Sequence, residues 1–356
     1  MLLFLSFPTF AETRTSQLVA EDDPRGEPEL TICSQNLQNF GTYAVYSSRL
    51  GGDQDDYKSK LRDLVQRFAK TKCDLIAVQE LVGRGSEETE KGIKTLASAM
   101  AAITGRVWNF EVGPSNDPVS KVAYLIAADR GKIINSISYS RVELPKLNEK
   151  QKPRRFVRGP FEIQVQVNGR GGSNSKIVNL ITFHFKSKRS GTGDPADLEW
   201  ETYRMEMAEA LRRVVESRHA DSFSSGSTIL VLLGDRNSNF DSASAKILEG
   251  TLKLSHFQGT APCRLGTRGV PFCQAKSSDP QKLFSVLTED PQTKYKVGTY
   301  KYKGVYSWLD DILLPAESLP FAWQNYANEG DYDSGVHYLP AGGSDHALAW
   351  VRLNWQ

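Results

Sequence analysis

Eight short apolar runs, rich in β-branched residues and bounded by turn formers, limit what this chain can fold into: 30–34, 75–78, 121–127, 161–167, 177–183, 229–233, 312–314 and 347–353. Such runs read as strands. Helical repeats lie between some of them. Residues 57–69 bring Leu61, Leu64, Val65 and Phe68 to one face, and 198–215 does so with Trp200, Tyr203, Met207, Leu211 and Val214. A shorter helix is expected over 92–103. Early strands alternate with helices, whereas 121–183 reads as consecutive strands. That mixture disfavours a purely parallel dinucleotide-binding sheet, and no GxGxxG follows the first strand. It predicts an α/β fold of two packed sheets with helices outside. No clear boundary interrupts residues 29–356, which read as one domain with a Pro-, Gly- and Ser-rich surface insertion near 259–282.

With 39% hydrophobic residues among 356, the chain has ample apolar material to fold, which excludes a disordered class. Lys+Arg 44 against Asp+Glu 42 leaves +2, so bulk charge does not point to a nucleic-acid partner. Residues 1–11 (MLLFLSFPTFA) are apolar and uncharged, too short for the roughly 20-residue membrane span. They suit a secretory signal cleaved after Ala11, though without a basic start, and 12–28 reads as a flexible leader. A secreted or periplasmic monomer with no stable membrane insertion is expected. Cys263 and Cys273 flank a loop that a disulfide would close, while Cys33 and Cys73 read as buried small hydrophobes. Without a CxxC pair, a thiolate zinc site is not expected.

The chemistry gathers where apolar runs end. Glu80 closes DLIAVQE, His184 closes VNLITFH, and Asp235 and Asn237 follow TILVLLG. Asp310 and Asp311 open DDILLP, and Asp345 and His346 open DHALAWVRL. One such acid is ordinarily a turn former or helix cap. Several together at the rim of a rigid sheet make an active site. Asn36, Glu80, Asp235, Asn237, Asp310 and Asp345 are hard oxygen donors, suited to Mg²⁺, Mn²⁺ or Ca²⁺. Of five histidines, two stand among these acids, where an imidazole serves as general acid or base. Metal, acids and histidines with no nucleophilic Ser or Cys point to water attack on a phosphate ester.

The ordered set SQNLQNF, DLIAVQE, VRGPF, TFHFKS, LLGDRN, SWLDDIL and GSDH resembles the endonuclease/exonuclease/phosphatase superfamily, the fold of deoxyribonuclease I, from about residue 30 to residue 353. The resemblance implies a four-layer sandwich, two packed mixed β-sheets flanked by helices. It also implies that Asn36 and Glu80 hold the divalent ion, that Asp345 assists the metal or phosphate network, and that Asp235 and Asn237 orient water and bind the scissile phosphate. His346 would pair with Asp310, His184 would stand near the leaving oxygen, and Arg158 would contact phosphate. Three departures stand out. Arg236 lies within GDRN, where the family often has an aliphatic or aromatic residue. Asp311 follows the orienting acid, where a basic residue or His is common. Lys121 and Val122 occupy the region from which family members supply an acid to the first histidine.

The family cuts DNA, RNA, inositol phosphates and sphingomyelin, so substrate class must come from local features. Lys152, Arg154, Arg155 and Arg158 cluster in KPRRFVRGP, and Lys186, Lys188 and Arg189 follow His184. Arg204, on the next helix, completes a pattern similar to secreted bacterial nucleases, and reads equally as a helix-face salt-bridge partner. In KYKVGTYKYKGVYSW, lysines interleave with Tyr295, Tyr300, Tyr302 and Tyr306, expected as a hairpin about Val297 and Gly298. Lysines can follow a phosphodiester backbone while aromatic faces stack on bases, although period-two alternation alone predicts the same hairpin. The sequence therefore favours a secreted nuclease acting on DNA. A sphingomyelinase-like lipid or inositol phosphoesterase is the alternative, and a catalytically silent binding module the third reading.

Overall fold

Alternating side chains on the central strands enter two different apolar layers, which is why those strands read as unbroken hydrophobic runs. The computed structural model describes residues 27–147, 150, 152–171, 173–188, 200–220, 228–254, 264–265, 271–272, 281–290, 298–323, 332–337 and 342–355. In chain order the first half contains β1 (Leu30–Phe40), α1 (Tyr43–Leu50), α2 (Gln54–Lys70), β2 (Leu75–Val82), α3 (Ser86–Thr104), β3 (Trp108–Val112), β4 (Ser120–Ala127), β5 (Gly131–Ser138), β6 (Arg158–Val167) and β7 (Lys176–His184). There follow α4 (Glu201–Arg218), β8 (Ile229–Asp235), α5 (Ala243–Leu248), β9 (Arg264–Leu265), β10 (Pro271–Phe272) and β11 (Leu283–Ser285). The hairpin β12 (Tyr300–Tyr302) and β13 (Val305–Ser307) precedes β14 (Asp310–Pro315), a 3₁₀ turn over Ala316–Ala322, β15 (Ser334–His337) and β16 (Leu348–Leu353).

Among the described residues two six-stranded mixed sheets form, ordered β15-β16-β1-β2-β4-β3 and β11-β14-β8-β7-β6-β5. Leu30 and Ile32 of β1, Val122, Tyr124 and Ile126 of β4, Ile229, Val231 and Leu233 of β8, and Ile312 and Leu314 of β14 fill the space between the sheets. The opposite parity, including Ile76, Val78 and Leu125, meets Leu64 and Phe68 of α2 and Leu96 of α3. Leu230, Leu232 and Leu313 meet Leu211 and Val214 of α4. The four-layer α/β sandwich expected from the sequence is the fold observed. No helix among the described residues is long and apolar enough to cross a membrane.

Several expectations need correction. Cys33 and Cys73 are buried but bonded to each other. Parallel pairing sets Cys33 beside Ile76, so the residue leading into β2 comes within 5.9 Å, Cα to Cα. The late hairpin turns at Lys303 and Gly304, whose φ values of 48° and 83° give the doubly left-handed turn that two-residue hairpins need. The expected turn about Val297 and Gly298 falls, at Val297, outside the described residues. Residues 1–11, most of 12–28, most of 259–282, Arg189, Cys263, Cys273, Lys294, Tyr295 and Lys296 lie outside the described residues.

Candidate active site

The same parity that builds the core delivers the polar residues. Positions 36, 184, 235 and 310 continue the inward series of β1, β7, β8 and β14 past the last apolar residue, at one rim of the cleft between the sheets. Cross-strand register then sets Asp310 against Asp235, and His184 against Asp235 on its other side. Gly234 permits the close approach: a Cβ there would lie 2.1 Å from Phe183 O. Glu80 breaks the alternation. Its φ of 56° coincides with a register shift after Val78 and re-aims its carboxylate, whose Oε2 accepts from Asn39 N–H at 3.0 Å.

Asp235 is the hub. It accepts hydrogen bonds from Asn237 N–H at 2.7 Å, Asn237 Nδ2 at 3.1 Å and Asn36 Nδ2 at 3.0 Å. His184 Nε2 stands 3.5 Å and His346 Nε2 4.0 Å from its Oδ2. Burial first, with the Asp310 and Glu80 charges, raises the Asp235 carboxyl to about 7, against the lowering effect of His346 and the Asn237 amide.

The two imidazoles are driven apart. Burial lowers the pKa of His346, but the charge and hydrogen bond of Asp310, then Asp235 and Asp345, push it up to about 10. His346 Nδ1 and Asp310 Oδ2 lie 2.7 Å apart. His184 is fully enclosed; burial, then the Arg158 and His346 charges, hold it well below 6.5. Its neighbour is Arg158, whose Nη1 lies 3.0 Å from Nδ1, with Asp117 Oδ2 3.6 Å from Arg158 Nε. His184 is therefore not without acids, since Asp235 and, at 3.9 Å, Glu80 Oε1 face its Nε2, while the acid ahead of β4 pairs with Arg158. Asp117 escaped sequence reading, although an acid just ahead of β4 was the signal to pursue.

The terminal SDH loop is clamped from several elements. Ser344 Oγ donates to Asn36 O at 2.7 Å, Gln35 Nε2 to His346 O at 3.1 Å, and Gly343 N–H to Asp63 Oδ2 at 2.6 Å. Lys60 of α2 donates to Gly343 O. Tyr300, at the foot of the hairpin, bridges to His346 and packs against its ring at 4.8 Å. Gln35, Gly343 and Ser344 lie within the SQNLQNF and GSDH motifs, whereas Lys60 and Asp63 of α2 carried no motif signal.

Glu80, Asp345 and Asn36 present only oxygen and amide donors. Burial first, and the nearby Glu80 charge, raise the Asp345 carboxyl, with Lys60 and His346 lowering it. An all-oxygen donor set of this kind fits a hard divalent cation. Asp235, Asp310 and His346 also bring donor atoms within 4.8 Å of one another. There the short Asp310–His346 contact already engages the imidazole Nδ1.

The structure brings together Asn36, Glu80, His184, Asp235, Asn237, Asp310, Asp345, His346 and Arg158. Lys186 caps the Trp200 ring at 4.4 Å, and Lys188 is half-buried on the same connection. Arg204, expected at the substrate, turns inward instead. At 2% exposure it donates to Glu201 Oε2 at 2.9 Å and to Lys186 O at 3.2 Å, because its place on α4 faces the sheet.

Two six-stranded sheets sandwiched between helices, with a polar rim at one end of the cleft, define the endonuclease/exonuclease/phosphatase fold, and this chain has it. The human Nocturnin catalytic domain with bound sulfate matches with a TM-score of 0.52 at 12% identity, covering 92% of this chain and 94% of that one. An endonuclease/exonuclease/phosphatase family protein from Bacteroides thetaiotaomicron gives 0.50 at 14% identity, with 91% and 94% covered. Truncated Caenorhabditis elegans TDP2 gives 0.50 at 10%, with 92% and 97% covered. At these identities the likeness is one of fold. Neither family models nor curated proteins match the sequence.

A pH dependence follows from His346. An imidazole whose pKa rises on folding contributes its stabilisation fully below about 6.5 and loses it as pH climbs through about 10. Lys60, whose ammonium burial lowers to about 8, acts in the opposite sense above that pH. The stability difference between the chain and His346→Gln should therefore shrink between pH 7 and 9, by up to about 1.4 kcal/mol per pH unit. Urea denaturation in EDTA at fixed pH measures it, and a constant difference would contradict the assigned protonation.

Proposed function

We propose that this chain is a secreted, divalent-metal-dependent phosphodiesterase that hydrolyses nucleic acid, DNA in preference, by attack of water at phosphorus. The observation carrying this reading is the pair of oppositely tuned imidazoles on either side of Asp235, His346 cationic and His184 neutral. Asp235, with a carboxyl near 7, orients the water and takes its proton. Asn237 and Asn36 hold that carboxylate in place. His346, kept protonated by Asp310, donates to a phosphoryl oxygen as charge grows there. His184 and Arg158 lie on the opposite side, towards the leaving oxygen. Mg²⁺ or Mn²⁺, with Ca²⁺ as a further candidate, held by Glu80, Asp345 and Asn36, would neutralise non-bridging oxygens.

Support for a polymeric substrate comes from the β12–β13 hairpin, where Lys301 and Lys303 flank an exposed Tyr302 and whose foot touches His346. The same tip exposes Val305 at 67%, which favours a lipid surface as the second reading. The Cys33–Cys73 disulfide supports an oxidising compartment. Plasmid, linear DNA, RNA and sphingomyelin, each offered with Mg²⁺, Mn²⁺, Ca²⁺ or EDTA, separate these readings. Plasmid nicking abolished by EDTA is expected. Cleavage of lipid alone would transfer the site to the second reading, and no hydrolysis with any ion would sink both.

A further inference from the structure

A groove of about 590 Å³ opens beside Arg158, lined by Asn116, Glu143, Arg154, Arg155, Val157 and Tyr203 among others. Its floor is built from the backbone that holds Arg158 at His184. Asn116 Nδ2 donates to Phe156 O at 2.7 Å, Asp117 N–H donates to Val157 O at 2.8 Å, and Ser115 bridges to Arg158. Tyr203 is the post: its ring lies 4.8 Å under the Arg154 guanidinium, and its hydroxyl donates to Arg155 O at 2.7 Å. Glu206, buried beneath, stands 3.7 Å from Arg154. Arg155 is exposed and makes no ion pair among the described residues.

We infer that this groove is a secondary phosphate subsite, in which Arg154 and Arg155 engage a phosphodiester that flanks the scissile one. The inference rests on the phosphodiesterase reading and names the part of the substrate that the reacting centre does not touch. Three residues of extended chain reach at most about 11 Å from Arg158. That keeps the groove within a very few nucleotides of the scissile phosphate. A guanidinium stacked on a fixed ring is pre-organised for phosphate and loses little freedom on binding. Glu206 beneath answers Arg154 and Glu143 stands in the lining, so the charge the groove offers a phosphodiester is carried chiefly by Arg155, exposed and without an ion pair among the described residues. With the Tyr300 hairpin at His346 and the groove beyond His184, the bound chain crosses the reacting centre and is held on both sides.

The test compares R154A/R155A with K91A/K94A, which removes the same charge from exposed positions on α3 in the opposite outer layer. Cleavage of a single-stranded DNA 12-mer is measured against bis(p-nitrophenyl) phosphate, which has no flanking phosphate. The ratio of kcat/KM for oligonucleotide over small diester should drop about tenfold or more in R154A/R155A alone. Binding of the same 12-mer is measured across salt in a His346→Ala background, and its log–log salt slope should shrink by about 1.4 for two lost contacts. Cleavage of the oligonucleotide with ratio and slope unmoved overturns the groove and leaves the enzyme reading standing. Binding whose slope falls in R154A/R155A, without cleavage of any substrate, keeps the groove and overturns the enzyme reading. Equal losses in both charge variants reduce the groove to net charge and overturn it. Neither binding nor cleavage overturns both.

Discussion

Asp310→Asn is expected to lower kcat on a phosphodiester by about 10³-fold, inside the range typical of positioned acid–base groups, with the fold intact. Asparagine keeps the shape of the side chain, and Asp310 N–H still donates to Thr299 Oγ1 at 2.9 Å. What disappears is the negative charge 2.7 Å from His346 Nδ1. With it goes the largest influence raising that imidazole, leaving burial to push it towards the neutral form. A neutral His346 donates more weakly to an anionic phosphoryl oxygen, and an amide in place of the carboxylate can bind the wrong tautomer. His346→Ala should cost a similar factor, and the double variant little more, because the pair acts as one unit. Single-turnover kinetics measure the chemical step, and imidazole ¹⁵N shifts of His346 report its protonation at pH 7. Retention of more than a tenth of kcat in Asp310→Asn, with a deprotonated His346, would show that the charge pair is not used.

How much of this was legible in the sequence depended on burial. Strands such as β2, β4 and β8 bury both faces, so LIAV, VAYLI and ILVLL stood out as apolar runs with polar residues at their ends. Because parity continues past the last core residue, those ends marked the rim where Asp235, Asp310 and His184 meet. β5 had no such signal: GKIINSIS is largely exposed on an edge strand. β3, with only Trp108 buried, was equally quiet. The Cys33–Cys73 bond depends on the register of β1 against β2 across 40 residues, which neither neighbourhood encodes. Arg204 misled because a basic residue after a catalytic motif looks like a substrate contact. Only the orientation of α4 reveals that it is enclosed.

The two departures within the family-like motifs, Arg236 and Asp311, prove to be one feature, and Asp311→Ala should be the most destabilising substitution near the site. Both residues are fully buried, with Arg236 Nη1 2.6 Å from Asp311 Oδ2. They lie one position beyond Asp235 and Asp310, so strand alternation turns them away from the cleft, towards Glu249, which caps the end of α5, and Ser285 of β11. Removing Asp311 leaves a guanidinium that cannot deprotonate, with Glu249 at 3.3 Å as its remaining carboxylate. Burial, with the Asp311 and Glu289 charges, raises the Glu249 carboxyl to about 7 against the lowering effect of Arg236, so with Asp311 gone Glu249 ionises more readily and offsets part of the unpaired charge. A loss of about 3–5 kcal/mol is the usual cost of breaking a buried pair from one side. Arg236→Ala should cost less, because burial already raises the Asp311 carboxyl and, without Arg236 to lower it, the group can take up a proton. Its deficit should therefore shrink as pH falls, whereas that of Asp311→Ala should not. The apolar double variant R236M/D311L, with both charges gone, should recover most of the stability, as buried pairs replaced by packed hydrophobes commonly do. Urea denaturation of the three variants at pH 5 and pH 8 decides it. Asp311→Ala within 1 kcal/mol of the parent, or R236M/D311L no better than Asp311→Ala, would mean that the pair does not lock β8 to β14 behind Asp235 and Asp310.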